Sequence, residues 1–368
     1  MANPEMLRVI HFIPSMQRGG AERQAACIVQ NCLEVEHWLV TLHCDADNYL
    51  LDGSKLLMIG SRKFVSRLRE FKSVVKDKNP DVIYAWGVLP YLLACVVSLG
   101  KRSKVINGSI RHGVFKGSFS GYLRLILLHL SKYVVANSQA GIRANKLNKG
   151  LVLYNGIDER FNRTKTKSLT EKNPRPDKLV MISVANLVPY KDYETVFKAL
   201  SKLLGEGLGF SYVIIGDGSK RKTYEDMART MGLGDHVVFL GRLANPEDHL
   251  AKSDIFIHSS KGEGCSNAIL EAMYMGLPII ATNTGGTVEI TGSNAILFTY
   301  QDTEALYHAL SELMRDERRR RSMGEESYHL ASQRFTINRM TSDYSRMIKA
   351  VAGNNMTEVA DLMYIVKG

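Results

Sequence analysis

The hydrophobic positions of this chain fall into two alternating patterns. Short continuous apolar runs, typical of strands buried on both faces of a parallel sheet, recur along the sequence. Between them lie longer stretches whose apolar residues are three and four positions apart, which is the spacing of amphipathic helices. The alternation predicts repeated strand–helix units and therefore an α/β fold with parallel sheets.

The apolar runs predict strands at 7–13, 38–44, 82–85, 104–108, 133–137, 150–154, 179–184, 212–216, 237–240, 254–258 and 278–281. The helical stretches between them are 21–33, 62–77, 90–99, 120–130, 193–204, 220–231, 247–252, 267–275, 303–321 and 337–351. The helix 303–321 would end in four arginines, a charge that suits a helix C-terminus.

Residues 158–178 interrupt this alternation, because they are polar and charged and contain two prolines. We predict an N-terminal domain at 1–160, a linker at 161–178 and a second domain at 179–336. The final helix at 337–351 would be followed by a loosely held tail at 352–368. A chain of 368 residues is long enough to form two hydrophobic cores.

The composition is that of a soluble globular protein. The chain is 45% apolar, and no apolar run approaches the length of a membrane span. Five cysteines without CxxC spacing predict neither a disulfide framework nor a zinc site, and they favour a reducing compartment. No secretory signal is evident at the N-terminus, so we expect a cytoplasmic location.

Positive charge is concentrated in the first half of the chain. The formal net charge is +11, and residues 82–157 contain ten Lys or Arg but no Asp or Glu. Such a concentration of positive charge is compatible with binding to an anionic membrane surface or to nucleic acid. It is equally compatible with ordinary lysines exposed to solvent. No interleaved aromatic platform or recognised nucleic-acid module accompanies the charge, which argues against a nucleic-acid partner.

The segment 263–271 carries the clearest candidate binding site. It follows the apolar run 254–258 and leads into a helical stretch, so it forms a strand–turn–helix connection. The first N–H groups of such a helix lack internal partners and attract anions. The negative charges of Glu263 and Glu271 would be unfavourable beside a phosphate unless these carboxylates bind sugar or ribose hydroxyls. Taken alone, this spacing is equally compatible with an ordinary α/β unit.

An ordered series of motifs resembles glycosyltransferase family 4, which comprises retaining enzymes of the GT-B fold that use nucleotide-sugar donors. The motifs are Arg18-Gly-Gly-Ala-Glu-Arg23, Asn155-Gly-Ile-Asp158, the segment 184–191, Ile215-Gly-Asp-Gly218, Leu240-Gly-Arg242, the Glu-x7-Glu segment 263–271, and Gly285-Gly286 with Glu289. The resemblance covers nearly the whole chain. It implies two Rossmann-like domains facing across a cleft, and a C-terminal helix that crosses back to the N-terminal domain.

The resemblance also implies roles for residues of the second domain. Glu271 would bind the ribose, Glu263 the transferred sugar, and Lys191 the diphosphate that leaves. Asn186 stands where the family usually has an arginine, so Lys191 would bear more of the diphosphate charge unless another cation reaches it. Arg242 is a possible substitute, although we expect it nearer the base. The loop near the sugar and phosphates would consist of Gly264, Cys265, Ser266 and Asn267, with the cysteine as a small space-filler rather than a nucleophile.

In the first domain, the resemblance implies that Gly19 and Gly20 let the backbone approach the diphosphate and acceptor closely. His112 would lie near the donor sugar and complete a catalytic set with Lys191 and Glu263. No metal is expected, because Lys191 and helix dipoles would take the place of a divalent ion.

These residues together imply a retaining, metal-independent hexosyltransferase without a cofactor. Its donor would be a nucleotide sugar, expected to be a UDP-sugar. Its acceptor would be a lipid-linked or polysaccharide intermediate at the inner face of the cell membrane, in bacterial O-antigen, capsule or exopolysaccharide synthesis. Two alternatives are a GT-B-fold nucleotide-sugar 2-epimerase, which would need neither the Gly-Gly loop nor the glutamate pair, and a basic nucleic-acid-binding protein.

Overall fold

The computed structural model describes residues 6–16, 19–43, 55–110, 119–162 and 178–366. The chain divides into two compact units. The first consists of Met1–Gly156 together with Ile337–Gly368, and the second is Ile157–Thr336.

The strands of the described residues are numbered in chain order. They are β1 (Leu7–Ile13), β2 (Val35–Thr41), β3 (Leu56–Met58), β4 (Val82–Ala85), β5 (Lys104–Ile110), β6 (Tyr133–Ala136), β7 (Lys149–Val152), β8 (Leu179–Val184), β9 (Phe210–Ile215), β10 (Val237–Gly241), β11 (Ile255–His258), β12 (Ile279–Thr282), β13 (Ala295–Phe298) and β14 (Met363–Ile365).

The α-helices of the same residues are numbered in the same way. They are α1 (Gly20–Asn31), α2 (Phe64–Lys78), α3 (Val88–Ser98), α4 (Phe119–Leu130), α5 (Gln139–Ala144), α6 (Tyr193–Gly205), α7 (Arg221–Thr230), α8 (Glu247–Leu250), α9 (Asn267–Tyr274), α10 (Thr287–Thr291), α11 (Thr303–Arg315), α12 (Glu317–Arg334), α13 (Ile337–Ala352) and α14 (Met356–Leu362). None of them combines the length and the apolar character that crossing a membrane requires.

The first unit is built on a sheet with the order β14-β7-β6-β5-β4-β1-β2-β3. Its strands are parallel except β14, which pairs antiparallel with β7 at one edge. The central strand β4 is buried along its whole length and β1 is buried from Val9 to Ile13, because helices cover both faces of the sheet. Tyr344 and Ile348 of α13 lie in the same core as Ile28 of α1, which confirms the expected return of the C-terminal helix to the N-terminal domain.

The second unit is built on a parallel sheet with the order β10-β9-β8-β11-β12-β13. In chain order this is the 3-2-1-4-5-6 arrangement of a Rossmann fold. The direction of strand addition reverses between β8 and β11, which are direct neighbours. Loops at the carboxyl ends of these two strands therefore border a crevice, the usual place for a ligand in an open α/β sheet. The prediction of parallel α/β units is confirmed in both units.

Several predicted boundaries were wrong. The strand predicted at 38–44 begins earlier, at Val35, and part of the predicted range lies outside the described residues. Strands β3, β13 and β14 were not predicted. Runs of three residues, as in β3 and β14, are too short to show a period. The loosely held tail at 352–368 was also wrong for its described part: it contains α14 and β14, and Val359 is fully buried.

The helix predicted at 303–321 is two helices. The chain is extended at Asp316, whose carboxylate accepts a hydrogen bond from Arg319 N at 2.9 Å and caps α12. The four arginines therefore lie at the beginning of α12 and not at a helix C-terminus. At the beginning of a helix, the macrodipole is unfavourable for positive charge. Ion pairs of Arg319 with Glu312 and of Arg321 with Glu317 offset that repulsion.

Candidate active site

The loop after β8 is held in place by the loop after β9. Leu187 N donates to Asp217 O at 3.0 Å, and Ala185 N donates to Ile215 O at 3.0 Å. Gly216 has a φ of +143°, and a Cβ there would lie 1.9 Å from the carbonyl oxygen of Ala185. The Gly-Asp-Gly motif is therefore required by close approach of two backbones, and this contact orients the loop that carries Lys191.

A short antiparallel bridge then brings Lys191 to the loop after β11. Lys191 pairs with Ser260, Lys261 N donates to Tyr190 O at 2.9 Å, and Asp192 N donates to Ser259 O at 3.2 Å. These bonds join the carboxyl-end loops of the two strands at which the sheet order reverses. Lys191 is consequently anchored by its backbone on both sides before its side chain makes any contact.

Three side chains converge at this bridge. Lys191 Nζ forms an ion pair with Glu263 Oε1. His258 Nε2 lies 3.2 Å from Lys191 Nζ and 3.2 Å from Glu263 Oε1. The side chains of Lys191, Glu263 and His258 are 8%, 14% and 2% exposed, so the ion pair is largely shielded from water. The structure thus brings two of the predicted catalytic residues together.

The electrostatics of this cluster favour a neutral histidine between two ions. Burial, together with the positive charge of Lys191, lowers the pKa of His258. Burial opposes ionisation of Glu263, but Lys191 and the hydrogen bond from His258 outweigh it, and the pKa of Glu263 is lowered. Glu263 is therefore a carboxylate near neutral pH, able to accept hydrogen bonds from hydroxyl groups.

His258 is a contact residue that the sequence analysis did not assign. It is the last residue of β11 and is five positions before Glu263. A signal existed: a polar residue at the carboxyl end of a central parallel strand faces the ligand crevice. Its partner Lys191 comes from a different loop, and this contact could not be read from local sequence.

The second glutamate of the motif is buried. Glu271 lies in α9 and is 4% exposed. Gly264, Cys265 and Ser266 are also buried and lead into the first turn of α9 at Asn267. The helix packs its apolar residues against β11, β12 and α12, and this packing takes Glu271 out of the solvent.

The Gly285-Gly286 loop contacts the backbone of Glu263. Gly286 N donates to Glu263 O at 2.9 Å. Gly285 has a φ of +56°, and a Cβ there would lie 1.9 Å from the same carbonyl oxygen. Glycine is therefore required by both conformation and space, and the hydrogen bond from Gly286 holds the backbone of Glu263 in place.

Other predicted site residues lie elsewhere. Asn186 and Arg242 are exposed, after β8 and β10 respectively. Gly19 caps α1 and Gly20 begins it, both in the first unit. His112 lies outside the described residues. These positions therefore remain predictions from the resemblance.

The part of the chain that the structure describes contains no group of three or more His, Cys, Asp or Glu side chains arranged to hold a metal ion. Asp45-Ala46-Asp47 has the Asp-x-Asp spacing of metal-dependent transferases, although no metal was expected from the sequence. This triplet lies outside the described residues.

Comparison with known proteins agrees with this fold. Residues 164–330 match the family model described as glycosyl transferases group 1. N-acetyl-alpha-D-glucosaminyl L-malate synthase of Bacillus anthracis is 27% identical over 288 residues, which are 74% of this chain and 75% of that protein. The O-antigen biosynthesis glycosyltransferase WclY of Escherichia coli is 23% identical over 290 residues, 73% of this chain and 79% of that protein.

The crystal structure of Anabaena HepE in complex with UDP and glucose superposes with a TM-score of 0.78 at 20% identity, covering 94% of this chain and 100% of that one. The fold is therefore GT-B, with two Rossmann-like domains. The family match and the relatives confirm the enzyme class: the chain is a glycosyltransferase related to group 1 glycosyl transferases, and family 4 is compatible with these matches. They do not favour the 2-epimerase or the nucleic-acid-binding protein.

Proposed function

We propose that this glycosyltransferase is a retaining, metal-independent enzyme that transfers a sugar from a UDP-sugar to a lipid-linked or polysaccharide acceptor. Its setting would be bacterial surface-polysaccharide synthesis, at the inner face of the cell membrane. The observation that supports this most directly is the convergence of Lys191 and Glu263 where the strand order reverses between β8 and β11.

The two side chains suit opposite ends of a nucleotide sugar. An ammonium can neutralise the diphosphate as it leaves, which stabilises the charge that develops in the transition state. A carboxylate whose pKa is lowered can accept hydrogen bonds from sugar hydroxyls. Glu271, further along α9, would bind the ribose. Because Lys191 and Glu263 neutralise each other in the structure, a donor must share or replace their ion pair as it binds.

UDP is the proposed nucleotide because the similar Anabaena protein was crystallised with UDP and glucose. The acceptor class follows from relatives such as the O-antigen glycosyltransferase. Metal independence is proposed because Lys191 can supply the positive charge at the diphosphate. Retention of anomeric configuration is proposed from the family resemblance and the Glu-x7-Glu motif.

A membrane surface is proposed as the place where the acceptor is met. The helix α4 presents Tyr122, Ile126 and Leu130 on one face, and they are 58%, 58% and 76% exposed. An apolar stripe of this kind can lie in the headgroup region without spanning the bilayer. Two basic residues near this stripe already have partners: Arg124 donates to Asn145 Oδ1 at 3.2 Å, and the exposed Lys132 donates to Asn354 Oδ1 at 2.8 Å.

The experiment is a donor panel followed by product analysis. Thermal shift with UDP-, GDP- and ADP-sugars should show the largest rise in Tm with one UDP-sugar, since a ligand that binds the folded state stabilises it. Incubation of that donor with lipid-linked acceptors should release UDP both in the presence and in the absence of EDTA. NMR of the product should show the same anomeric configuration as in the donor. Inverted configuration, or loss of activity in EDTA that magnesium restores, would contradict the corresponding part of the proposal.

A further inference from the structure

A small cavity lies beside the bridge that carries Lys191. Its volume is about 10 Å³. Residues from both joined loops line it, including Asp192 and Tyr193 on one side and His258 and Ser259 on the other. A space of this size corresponds to about one water molecule.

Three buried polar atoms at this cavity have no hydrogen-bond partner within the protein. They are Asp192 Oδ2, Tyr193 Oη and Ser259 Oγ. Their residues are 7%, 4% and 9% exposed. A buried polar group without a partner is destabilising, and a carboxylate oxygen especially so. Three such atoms lining one cavity indicate a common partner.

The hydroxyl groups of Ser183 and Tyr212 and the other oxygen of Asp192 already have partners. Ser183 Oγ donates to Ile257 O at 2.5 Å, because a carbonyl can only accept. Ser183 Oγ therefore accepts the hydrogen of the Tyr212 hydroxyl at 2.6 Å. The first oxygen of the Asp192 carboxylate caps α6 by accepting from Thr195 N at 3.3 Å. What is left unpaired is one acceptor and two hydroxyl groups.

We propose that the cavity binds one ordered water that bridges Asp192, Tyr193 and Ser259, and that this bridge positions Lys191 for the diphosphate. One water hydrogen would go to Asp192 Oδ2, and the water oxygen would accept from the two hydroxyl groups. The chemistry favours water over a metal ion, since hydroxyl groups and one carboxylate oxygen provide few of the ligands that a cation needs.

The bridge would act on the active site through the backbone. Asp192 follows Lys191 and Ser259 follows His258, so a water that joins the two side chains also joins the two loops. It reinforces the hydrogen bond from Asp192 N to Ser259 O at 3.2 Å. In this account Asp192, Tyr193 and Ser259 are positioning residues, and their role in catalysis rests on the function proposed above for Lys191.

The water itself is tested by a high-resolution crystal structure, which requires no activity. The expected result is a single peak at about 2.7–3.2 Å from the three atoms. In Tyr193→Phe the peak should weaken or shift towards Asp192. A cavity without density, or a peak at about 2.4 Å with six or more oxygen ligands, which is cation geometry, would overturn the assignment.

The positioning role is tested by a double-mutant cycle. Tyr193→Phe and Ser259→Ala should each lower kcat roughly three- to tenfold, because small misplacements of a reacting group are costly. In a Lys191→Ala background the same changes should lower kcat by less than about twofold, since the group they position is gone. Equal losses in both backgrounds would indicate a merely structural role and overturn the proposal.

Ser201→Ala is the matched control, because that hydroxyl donates to Met231 O at 3.3 Å, away from the cavity. Its kcat should equal that of the wild-type protein. If wild-type protein transfers no sugar, the proposed function fails while the crystallographic test of the water still stands. The two failures are therefore distinguishable.

Discussion

Lys191 and Glu263 form an ion pair although 72 positions separate them in the chain. Each follows one of the two strands at which the order of the second sheet reverses. The backbone of Lys191 is bonded to the loop that leads to Glu263, so the pairing does not depend on two flexible side chains finding each other. A nucleotide sugar entering this crevice would meet both charges, already oriented and largely desolvated.

Lys191→Ala should lower turnover by at least about 10²-fold, which corresponds to about 2.7 kcal/mol of transition-state stabilisation. With Asn186 in place of the arginine usual in the family, one cation carries more of the diphosphate charge. Steady-state kinetics with the identified donor measure this. A loss below threefold would mean that a different cation serves the phosphates.

The same substitution should lower Tm, because it leaves the carboxylate of Glu263 shielded and unpaired. A second variant, Lys191→Ala with Glu263→Gln, removes that charge and should recover part of the Tm but none of the turnover. Lys198→Ala provides the surface control, since its pair with Glu194 is half exposed and should contribute little.

Glu271→Gln should weaken donor binding by about 1.5–3 kcal/mol, since it removes the charge from hydrogen bonds to the ribose. Calorimetry with the donor and with UDP alone should show the same loss, because the contact is to the nucleoside. Glutamine keeps the size of this buried side chain, so the helix should remain folded. Unchanged affinity in both titrations would rule out the ribose role of Glu271. The control is Glu304→Gln, at an exposed position of α11.

Gly285→Ala should reduce activity by displacing Glu263. A Cβ at this position would lie 1.9 Å from the Glu263 carbonyl oxygen, and φ is +56°. The matched control is Gly232→Ala, which has a φ of +74° but no atom within 4 Å of the added Cβ. Both variants should lose about 1 kcal/mol of stability from backbone strain, but only Gly285→Ala should raise the KM for the donor. Equal KM values would show that the glycine loop does not support the sugar site.

The first unit should be destabilised by acid through two buried histidines. The Trp86 indole N–H donates to His11 Nδ1 at 3.1 Å, and His37 Nε2 donates to Cys32 O at 3.2 Å. His11 therefore has its hydrogen on Nε2, which faces His37 Nδ1 at 3.3 Å and the Tyr344 hydroxyl oxygen at 2.9 Å. Both imidazole rings are neutral in this arrangement. Burial lowers the pKa of His37 to about 4 and that of His11 well below its usual range.

Because the unfolded chain titrates near 6.5, it binds more protons than the folded protein between pH 6.5 and 4. The free energy of unfolding should therefore rise with pH in this window, and His37 alone should account for on the order of 3 kcal/mol. Urea denaturation of His37→Gln should show a shallower pH dependence than the wild-type protein. The exposed His308→Gln should leave the slope unchanged, and an unchanged slope in His37→Gln would contradict the prediction.

The exposed stripe on α4 should mediate binding to anionic vesicles. Replacing Tyr122, Ile126 and Leu130 by serine should weaken sedimentation with anionic liposomes at least about tenfold, about 1.4 kcal/mol, because apolar area is no longer buried in the headgroup region. Leu33→Ser is a suitable control, since Leu33 is as exposed as Leu130 at 76% but lies outside α4. Equal binding of both variants would show that α4 is not the contact.

Raising the salt concentration should release only part of the bound wild-type protein, because salt screens the charges but not the apolar contact. Arg124→Glu is a poor test of charge, since burial lowers the pKa of Arg124 and its guanidinium bonds Asn145. A loss of stability in Arg124→Glu could not be distinguished from a loss of membrane binding. Lys101→Glu and Arg102→Glu, at exposed positions of the same unit, test the charge more cleanly.

The sequence by itself determined the order of most strands and helices, the α/β class and the candidate donor loop. These depend on local properties: a strand buried on both faces must be a continuous apolar run, and a surface helix must repeat its apolar face. The Glu-x7-Glu segment could be found because both glutamates belong to one strand–loop–helix connection. Strands of three residues, such as β14, carry too little pattern to be found in this way.

Only the tertiary structure decided which of these residues meet. His258 contacts Lys191 and Glu263 because β8 and β11 are neighbours, and strand order depends on the packing of the whole sheet. Glu271 is buried because α9 packs beneath its neighbours, although its spacing was equally compatible with an exposed face. Helix α11 ends at Asp316 because the Asp316 side chain caps the next helix, α12, instead of allowing α11 to continue. Each of these outcomes depends on contacts between distant segments, which the local pattern of apolar and polar residues does not specify.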